Sequence, residues 1–276
     1  MLTCCMATMS SNDYVHGYSH VESGRLRDQA NVLADLLHHD TRYPPGSRVL
    51  EAGCGIGAQT VILAVQSPQA HITSVDISVE SLARARAAVE AAGMSGVTFK
   101  QADVYHLPFA DESFDHVFVC FVLEHLAQPQ RALAELRRVL CTGGSMTVIE
   151  GDHGSAYFHP ASASAQKTID CLVEIQARMG GDALIGRRLF PELREAGLRD
   201  VCVDPRVVYA DGSRPVWVEG FTRNTFTAMV KGVKQHALQL QLISEAVWTE
   251  GVRDLERTAL DDGTFNYTFF KATATK

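Results

Sequence analysis

The chain lacks a run of basic residues and an apolar stretch of membrane-spanning length. Its net charge is −7, whereas nucleic-acid binding depends on clustered Lys and Arg that neutralise phosphates. The longest clear apolar run, Val117 to Leu123, is far shorter than the roughly 20 residues of a transmembrane helix. We therefore expect neither a nucleic-acid partner nor a membrane partner.

The N-terminus also lacks the pattern of a secretory signal, and the cysteines lack the spacing of a metal site. Residues 1–10 contain no basic residue and no long apolar core, both of which a signal peptide needs. The seven cysteines, an odd number, are scattered without C-x-x-C spacing. This pattern predicts reduced thiols, a cytoplasmic protein and no metal site.

The chain shows no internal repeat and no low-complexity segment. Its 276 residues are 46% hydrophobic, which suits one large domain with additions. We divide the chain into a flexible tail at 1–12, an N-terminal helical arm at 13–44 and one domain at 45–276.

Apolar residues spaced by three and four positions define the arm. They are Leu26, Ala30, Leu33 and Leu37, and this spacing predicts an amphipathic helix. A helix of this kind outside the core can pack on a second copy of the chain. We therefore expect a homo-oligomer formed through the arm.

Residues 48–60 combine a short apolar strand, a glycine turn and the start of a helix. Gly53, Gly55 and Gly57 follow the strand at two-residue spacing. Glycines let the backbone approach a ligand closely, and a helix N-terminus offers unpaired N–H groups. The spacing alone leaves a tight strand-to-helix turn and two nucleotide sites open, one for S-adenosylmethionine (SAM) and one for NAD. The NAD site stays open because Gly53, Gly55 and Ala58 also fit the looser dinucleotide rule.

Glu51 favours the first of these sites. A carboxylate two residues before the first glycine would repel a pyrophosphate but not a positively charged sulfur or an ammonium group. The run from Glu51 to Gly57, acidic-x-Gly-x-Gly-x-Gly, resembles the first motif of the class I SAM-dependent methyltransferases. Residues 48–150 carry most of the resemblance, with 188–210 and 265–273 adding to it.

The resemblance implies an α/β, Rossmann-like fold with seven strands, mostly parallel, of which the last is antiparallel. The helical arm precedes this domain, and we expect helical lid insertions at about 151–187 and 213–260. One turn departs from the family, since Cys141 and Thr142 stand where relatives usually have Lys and Pro.

The resemblance also assigns cofactor roles at the ends of the next two strands. Asp76 is expected on the ribose hydroxyls of SAM and Ile77 against the adenine. Asp103 is expected to accept a hydrogen bond from the adenine amino group, with Val104 as the adjoining backbone. Helix capping is the structural alternative for Asp76, although Ser78 is available for that role.

Residues of the arm and of the fourth strand complete the expected cofactor site. Tyr14 and Tyr18 are candidates to close over the charged sulfur, because an aromatic face attracts a cation, and Arg25 matches the methionine carboxylate. Packing on the core is the alternative for the tyrosines, and a solvated face is the alternative for Arg25. The expected cofactor residues are Tyr14, Tyr18, Arg25, Glu51, Gly53, Cys54, Gly55, Gly57, Gln59, Asp76, Ile77, Asp103, Val104, Cys120 and His125.

The stretch 151–160 is the least generic of the chain, with two histidines, an Asp, a Tyr and a Phe. His153 is a candidate general base, because imidazole titrates near neutrality, with Asp152 or His159 to orient it. Substrate contact without proton transfer and a structural role are left open. The expected substrate residues are Tyr14, His153, Tyr157, Phe158, His159, Phe221 and Phe226.

These residues predict methyl transfer from SAM, which leaves S-adenosylhomocysteine, to a small and apolar organic molecule. The arm motif Tyr-x-x-Gly-Tyr-Ser at 14–19 is similar to a natural-product branch of the family. That branch implies C-methylation of a prenyl chain of a teleocidin-type indole alkaloid, with cation-driven cyclisation. An O- or N-methyltransferase of another metabolite, an NAD-dependent oxidoreductase and a non-catalytic SAM-binding protein are the alternatives.

Overall fold

The computed structural model describes residue 30 and residues 32–276. Seven strands in this part of the chain form one sheet. The strands are β1 (Arg48–Ala52), β2 (His71–Asp76), β3 (Val97–Gln101), β4 (Phe114–Cys120), β5 (Leu140–His159), β6 (Arg199–Asp211) and β7 (Thr264–Thr275).

The sheet order is β3-β2-β1-β4-β5-β7-β6. The strands from β3 to β5 pair in parallel, and β7 runs antiparallel to both of its neighbours. This arrangement confirms the predicted α/β fold with a mostly parallel seven-stranded sheet and an antiparallel last strand.

Helices connect the strands, and α1 denotes the helical residues 32–38. A π-helix (Val218–Thr227) joins α7 to α8, and two short 3-10 helices lie at Leu123–His125 and Ile185–Arg188. The other helices are α2 (Ala58–Gln66), α3 (Val79–Ala91), α4 (Pro129–Val139), α5 (Ala163–Arg178), α6 (Leu189–Glu195), α7 (Pro215–Trp217), α8 (Ala228–Gly232), α9 (Lys234–Gln239) and α10 (Glu245–Arg257).

The sheet is covered on both faces, as the continuous apolar sequence of β4 predicts. Phe118 packs into one apolar cluster with residues of α1, α2 and α5, and its neighbour Val117 packs into a second cluster with residues of α4 and α6. Successive side chains of a strand point to opposite faces. The two clusters therefore form the two sides of an α/β sandwich.

Strand β5 extends beyond the predicted end of its strand. Residues 151–159, which we expected to begin a lid, continue β5 and pair with β7, for example Asp152 with Thr268 and Tyr157 with Asn266. The long antiparallel β7 supplies ladder partners that a local pattern does not reveal. Aromatic residues such as Tyr157 and Phe158 also suit a strand.

Residues 213–260 are largely helical, as predicted. Helix α10 packs closely on α5. A Cβ at Gly251 would collide with the backbone of Ser164, so glycine permits this close approach. The tail and most of the arm lie outside the described residues. Among the residues that are described, no helix is long and apolar enough to cross a membrane.

Gly57→Ala is expected to destabilise the fold more than Gly143→Ala. Both glycines have φ near +80° (+81° and +80°), so each substitution places Ala in the left-handed region at a cost of about 1–2 kcal/mol. A Cβ at Gly57 would also lie 2.7 Å from Ala85 Cα in α3, whereas one at Gly143 meets no described atom within 4 Å. Such overpacking costs a further 1–3 kcal/mol, roughly.

Urea unfolding of the two variants and the unchanged chain would measure this difference. Equal losses of stability in the two variants would contradict the close packing of the loop on α3.

Candidate functional site

The candidate site lies where β1, β2 and β4 end beside the middle of β5, since Cys120 at the end of β4 pairs with Ile149. The chain leaves β1 and β4 in opposite directions across the sheet, and ligands of open α/β sheets bind at such a switch point. The predicted loop, Asp76 and Cys120 all follow or end these strands. The topology thus brings together residues that are far apart in sequence.

The glycine loop after β1 has a packed side and an open side. Gly53, Gly55 and Gly57 all have positive φ, at 71°, 50° and 81°. A Cβ at Gly53 would lie 2.6 Å from Val122 Cγ2, in the turn after β4, whereas one at Gly55 would meet no described atom within 4 Å. The side of the loop at Gly55 is therefore open to the approach of a ligand.

Asp76 holds this loop in place. Its carboxylate accepts hydrogen bonds from Gly55 N at 2.8 Å and Ser78 N at 2.9 Å. Ser78 itself caps α3 by accepting from Ser81 N at 3.1 Å. Burial raises the pKa of Asp76. Because each carboxylate oxygen can accept a second hydrogen bond, the side chain keeps capacity for a ligand hydroxyl.

Glu51 is buried beneath the loop with one oxygen engaged. Its Oε2 accepts from Thr60 Oγ1 at 2.7 Å and Ser74 Oγ at 2.6 Å, and Oε1 has no hydrogen-bond partner among the described residues. Burial raises the pKa of Glu51 to about 7, against the lowering effect of the two hydroxyls. A buried carboxyl oxygen of this kind suits a cationic donor.

Other predicted cofactor residues lie around the same edge. Ile77 follows β2 and is 52% exposed, and Gln59 lies on the first turn of α2 beside His38. Asp103 Oδ1 accepts from Tyr105 N at 2.9 Å, while its other oxygen lies 3.7 Å from His106 Nδ1.

Three further members of the predicted set point into the protein. Cys54 packs against Leu82 and Ala85 of α3, Val104 packs on the second apolar cluster, and Cys120 is buried at the end of β4. Tyr14, Tyr18 and Arg25 lie outside the described residues.

A second polar group consists of Glu124 after β4, His153 on β5 and Tyr267 on β7. His153 Nδ1 lies 2.7 Å from the Tyr267 hydroxyl, and His153 Nε2 lies 3.9 Å from Glu124 Oε2. The other Glu124 oxygen lies 3.5 Å from His125 Nε2. Glu124, His153 and Tyr267 thus form a chain of carboxylate, imidazole and phenol.

The expectation that Asp152 or His159 orients His153 is wrong. Arg187 binds both oxygens of Asp152, each at 2.7 Å, so this carboxylate faces a guanidinium. His159 is exposed at the far end of β5. Tyr267 and Glu124 occupy the positions that Asp152 and His159 were expected to fill.

Glu150 fixes the turn after β4. This buried residue accepts from Val122 N at 3.0 Å and Leu123 N at 2.7 Å through Oε1. Burial, together with the nearby charge of Glu124, raises the pKa of Glu150 well above its usual range. The bond to Val122 connects Glu150, on β5, to the turn that packs on Gly53.

The predicted substrate residues divide into two groups. Phe221 and Phe226 are buried, and each lies 5.4 Å from the Tyr267 ring, centroid to centroid. Both therefore lie beside the tyrosine whose hydroxyl contacts His153. Phe158 stacks on Phe265 at 6.3 Å. Tyr157 is 70% exposed and does not join this group.

Sequence reasoning assigned no role to Glu124, Glu150 or Tyr267. Glu150 carries a detectable signal, because an acidic residue ends the central apolar segment of β5. Tyr267 carries none, since it lies 114 residues from His153 along the chain.

A model of the family described as methyltransferase domain matches residues 50–148. The 27-O-demethylrifamycin SV methyltransferase of Amycolatopsis mediterranei is 27% identical over 226 residues, which are 81% of this chain and 77% of that protein. The chain spans 58%, 35% and 57% of the length of three further curated relatives.

Solved structures share the fold. A Haemonchus contortus phosphoethanolamine N-methyltransferase 2 in complex with SAM gives a TM-score of 0.59 at 18% identity, over 98% of this chain and 60% of that one. The [4+2]-cyclase SpnF gives 0.54 at 22% identity, over 91% and 81%.

Glu51→Gln is expected to stabilise the ligand-free protein at high pH. The pKa of Glu51 rises from 4.5 to about 7 on folding, so its favourable contribution is present below pH 4.5 and is lost as the pH rises through about 7. Gln keeps an acceptor for Thr60 and Ser74 but cannot ionise. The variant should gain up to about 3 kcal/mol near pH 8.5, and the gain should shrink toward pH 5.

Urea unfolding across this pH range measures the gain, with Glu80→Gln on the exposed face of α3 as the matched control. A stability difference that does not change with pH would contradict the buried, proton-binding state of Glu51.

Proposed function

We propose that this chain, which belongs to the class I SAM-dependent methyltransferase family and has SAM as its cofactor, methylates a small organic molecule. The observation that carries the proposal is the position of Glu124 and His153. Glu124 follows Val122 by two residues, and Val122 packs on Gly53 of the glycine loop. His153 Nε2 lies 3.9 Å from Glu124 Oε2. A pair of a carboxyl group and an imidazole therefore adjoins the cofactor loop.

The residues of the loop fit the cofactor. Gly55 presents an open side, Glu51 presents a buried oxygen for a cationic group, and Asp76 ends β2, where ribose hydroxyls bind in nucleotide folds. When bound, SAM supplies a methyl group on a positively charged sulfur. We propose that Gln59, Ile77, Asp103, Val104, Cys120 and His125 complete the cofactor site, with Tyr14, Tyr18 and Arg25 of the arm.

The geometry favours an acceptor that loses a proton, such as a hydroxyl. Glu124 and His153 are both buried, and a positioned acid–base group typically contributes about 10²–10⁴-fold to rate. The name of the Amycolatopsis relative also describes O-methylation of a natural product. Holding the acceptor in line and excluding water would supply much of the remaining rate.

C-methylation of a prenyl chain is the second candidate. It is favoured by the aromatic cluster around Tyr267, in which Phe226 also lies 6.2 Å from His153, centroid to centroid. Aromatic faces stabilise cations, and methylation of an alkene makes one. In this case the pair Glu124 and His153 would remove a proton only after the methyl group has been transferred.

The remaining predictions rest on observations from the sequence. The described part of the arm, α1, packs Leu33 and Leu37 into the core, so the homo-oligomer rests on the part of the arm outside the described residues. The cytoplasmic location rests on the cysteine pattern. The domain boundaries and the lid at 213–260 are likewise proposals. The absence of a basic run supports a small-molecule substrate over a nucleic acid.

Methyl transfer can be tested with SAM labelled in its methyl group and two acceptor sets, hydroxylated polyketides and prenylated indoles. We expect label on a hydroxyl oxygen. Glu124→Gln should lower the rate by about 10²-fold or more, because the amide cannot accept the proton, with the affinity for S-adenosylhomocysteine unchanged. Mass spectrometry locates the label.

Glu174→Gln, an exposed carboxylate on α5, is the matched control and should keep full activity. Label on a prenyl carbon would favour the second candidate. Equal rates in the Glu124 variant and the control would exclude Glu124 as the proton acceptor.

A further inference from the structure

Tyr267 is fully buried, and the surroundings of its hydroxyl are specific. Its ring lies among Phe221, Phe226 and Phe269, with ring centroids 4.7–5.4 Å away. The hydroxyl lies 2.7 Å from His153 Nδ1. A hydroxyl in such apolar surroundings must place its proton on an acceptor, because an unpaired buried donor costs about 1–3 kcal/mol.

The direction of this hydrogen bond follows from the neighbours of the hydroxyl. The aromatic rings around it offer the phenol proton no nitrogen or oxygen acceptor, whereas Nδ1 of His153 lies 2.7 Å away. The phenol proton is then best placed on Nδ1 of His153, which acts as the acceptor. A neutral imidazole that accepts at one nitrogen carries its proton on the other.

The far side of the ring agrees with this direction. Nε2 of His153 faces Glu124 Oε2 across 3.9 Å, and a carboxylate attracts a protonated nitrogen more than a lone pair. Both neighbours of the imidazole therefore favour the same tautomer, with the proton on Nε2.

We propose that Tyr267 is a positioning residue that holds neutral His153 in the Nε2–H tautomer. The role of this contact in methylation rests on the proposed function. The inference goes beyond that function because it assigns separate roles to Glu124 and His153. His153 directs its Nε2–H toward Glu124, and the carboxylate of Glu124 is the group that takes up a proton. His153 then orients Glu124 without acting as the base itself.

The backbone is built to admit this hydroxyl. A Cβ at Gly151 would collide with the Tyr267 hydroxyl oxygen, so only glycine at this point of β5 lets the phenol reach His153. A Cβ at Gly186 would in turn lie 2.6 Å from Gly151 O. These two contacts fix the strand against the 3-10 helix that follows α5.

The tautomer can be measured directly by long-range ¹H–¹⁵N correlation spectra of protein labelled with ¹⁵N-histidine, without added cofactor or substrate. The His153 signals are assigned by their loss in His153→Gln. We expect the unchanged protein to show a protonated Nε2 and an unprotonated Nδ1. Tyr267→Phe should shift His153 toward the Nδ1–H form or a mixture, because the donor to Nδ1 is gone.

Tyr209→Phe, on the exposed part of edge strand β6, is the matched control and should leave the spectrum unchanged. An Nδ1–H tautomer in the unchanged protein, or the same His153 signals in folded Tyr267→Phe, would overturn the inference. If Tyr267→Phe does not fold, the spectrum of the unchanged protein still decides the tautomer. Because this readout needs no methyl transfer, failure of the proposed function would not be mistaken for failure of the inference.

With an active acceptor in hand, Tyr267→Phe should lower kcat and leave the KM for SAM unchanged. A merely structural role would change both.

Discussion

The site depends on the need of buried carboxyl groups for hydrogen-bond donors. Three buried carboxyl groups and the half-buried Asp76 converge on the carboxyl edge of the sheet, and each takes donors from a different segment. Their donors are Thr60 and Ser74 for Glu51, Gly55 N and Ser78 N for Asp76, Val122 N and Leu123 N for Glu150, and Gln176 Nε2 for Glu124. These bonds hold the loops after three parallel strands in fixed positions.

The same carboxyl groups make the edge suitable for a positively charged ligand. Burial raises the pKa of Glu51, Asp76 and Glu150, which means that the protein holds acidic groups where negative charge is costly. A cation placed among them would offset part of that cost. The proposed cofactor carries such a charge, and a dinucleotide pyrophosphate carries the opposite one. Electrostatics and loop shape thus favour the same cofactor.

Local patterns predicted the parts of the molecule that form locally. The strand, glycine turn and helix at 48–66 needed only the glycine spacing and the buried Glu51 to be recognised. The end of β5 and the contact of His153 with Tyr267 could not be found in this way, because they depend on pairing with β7 more than 100 residues later. Tyr267 looks like any strand aromatic in the sequence, and only the antiparallel register and Gly151 bring its hydroxyl to the imidazole.

Calorimetric titration of the purified chain with S-adenosylhomocysteine, and with NAD in parallel, tests the cofactor assignment on which the proposed function depends. We predict binding of S-adenosylhomocysteine alone, weakened at least about tenfold in Gly55→Ala, because a Cβ there fills the open side of the loop. Gly93→Ala, with a positive φ and no described atom within 4 Å of the added Cβ, should bind as the unchanged protein does. Binding of NAD without S-adenosylhomocysteine would contradict the roles of Glu51 and Asp76 and the methyltransferase function built on them.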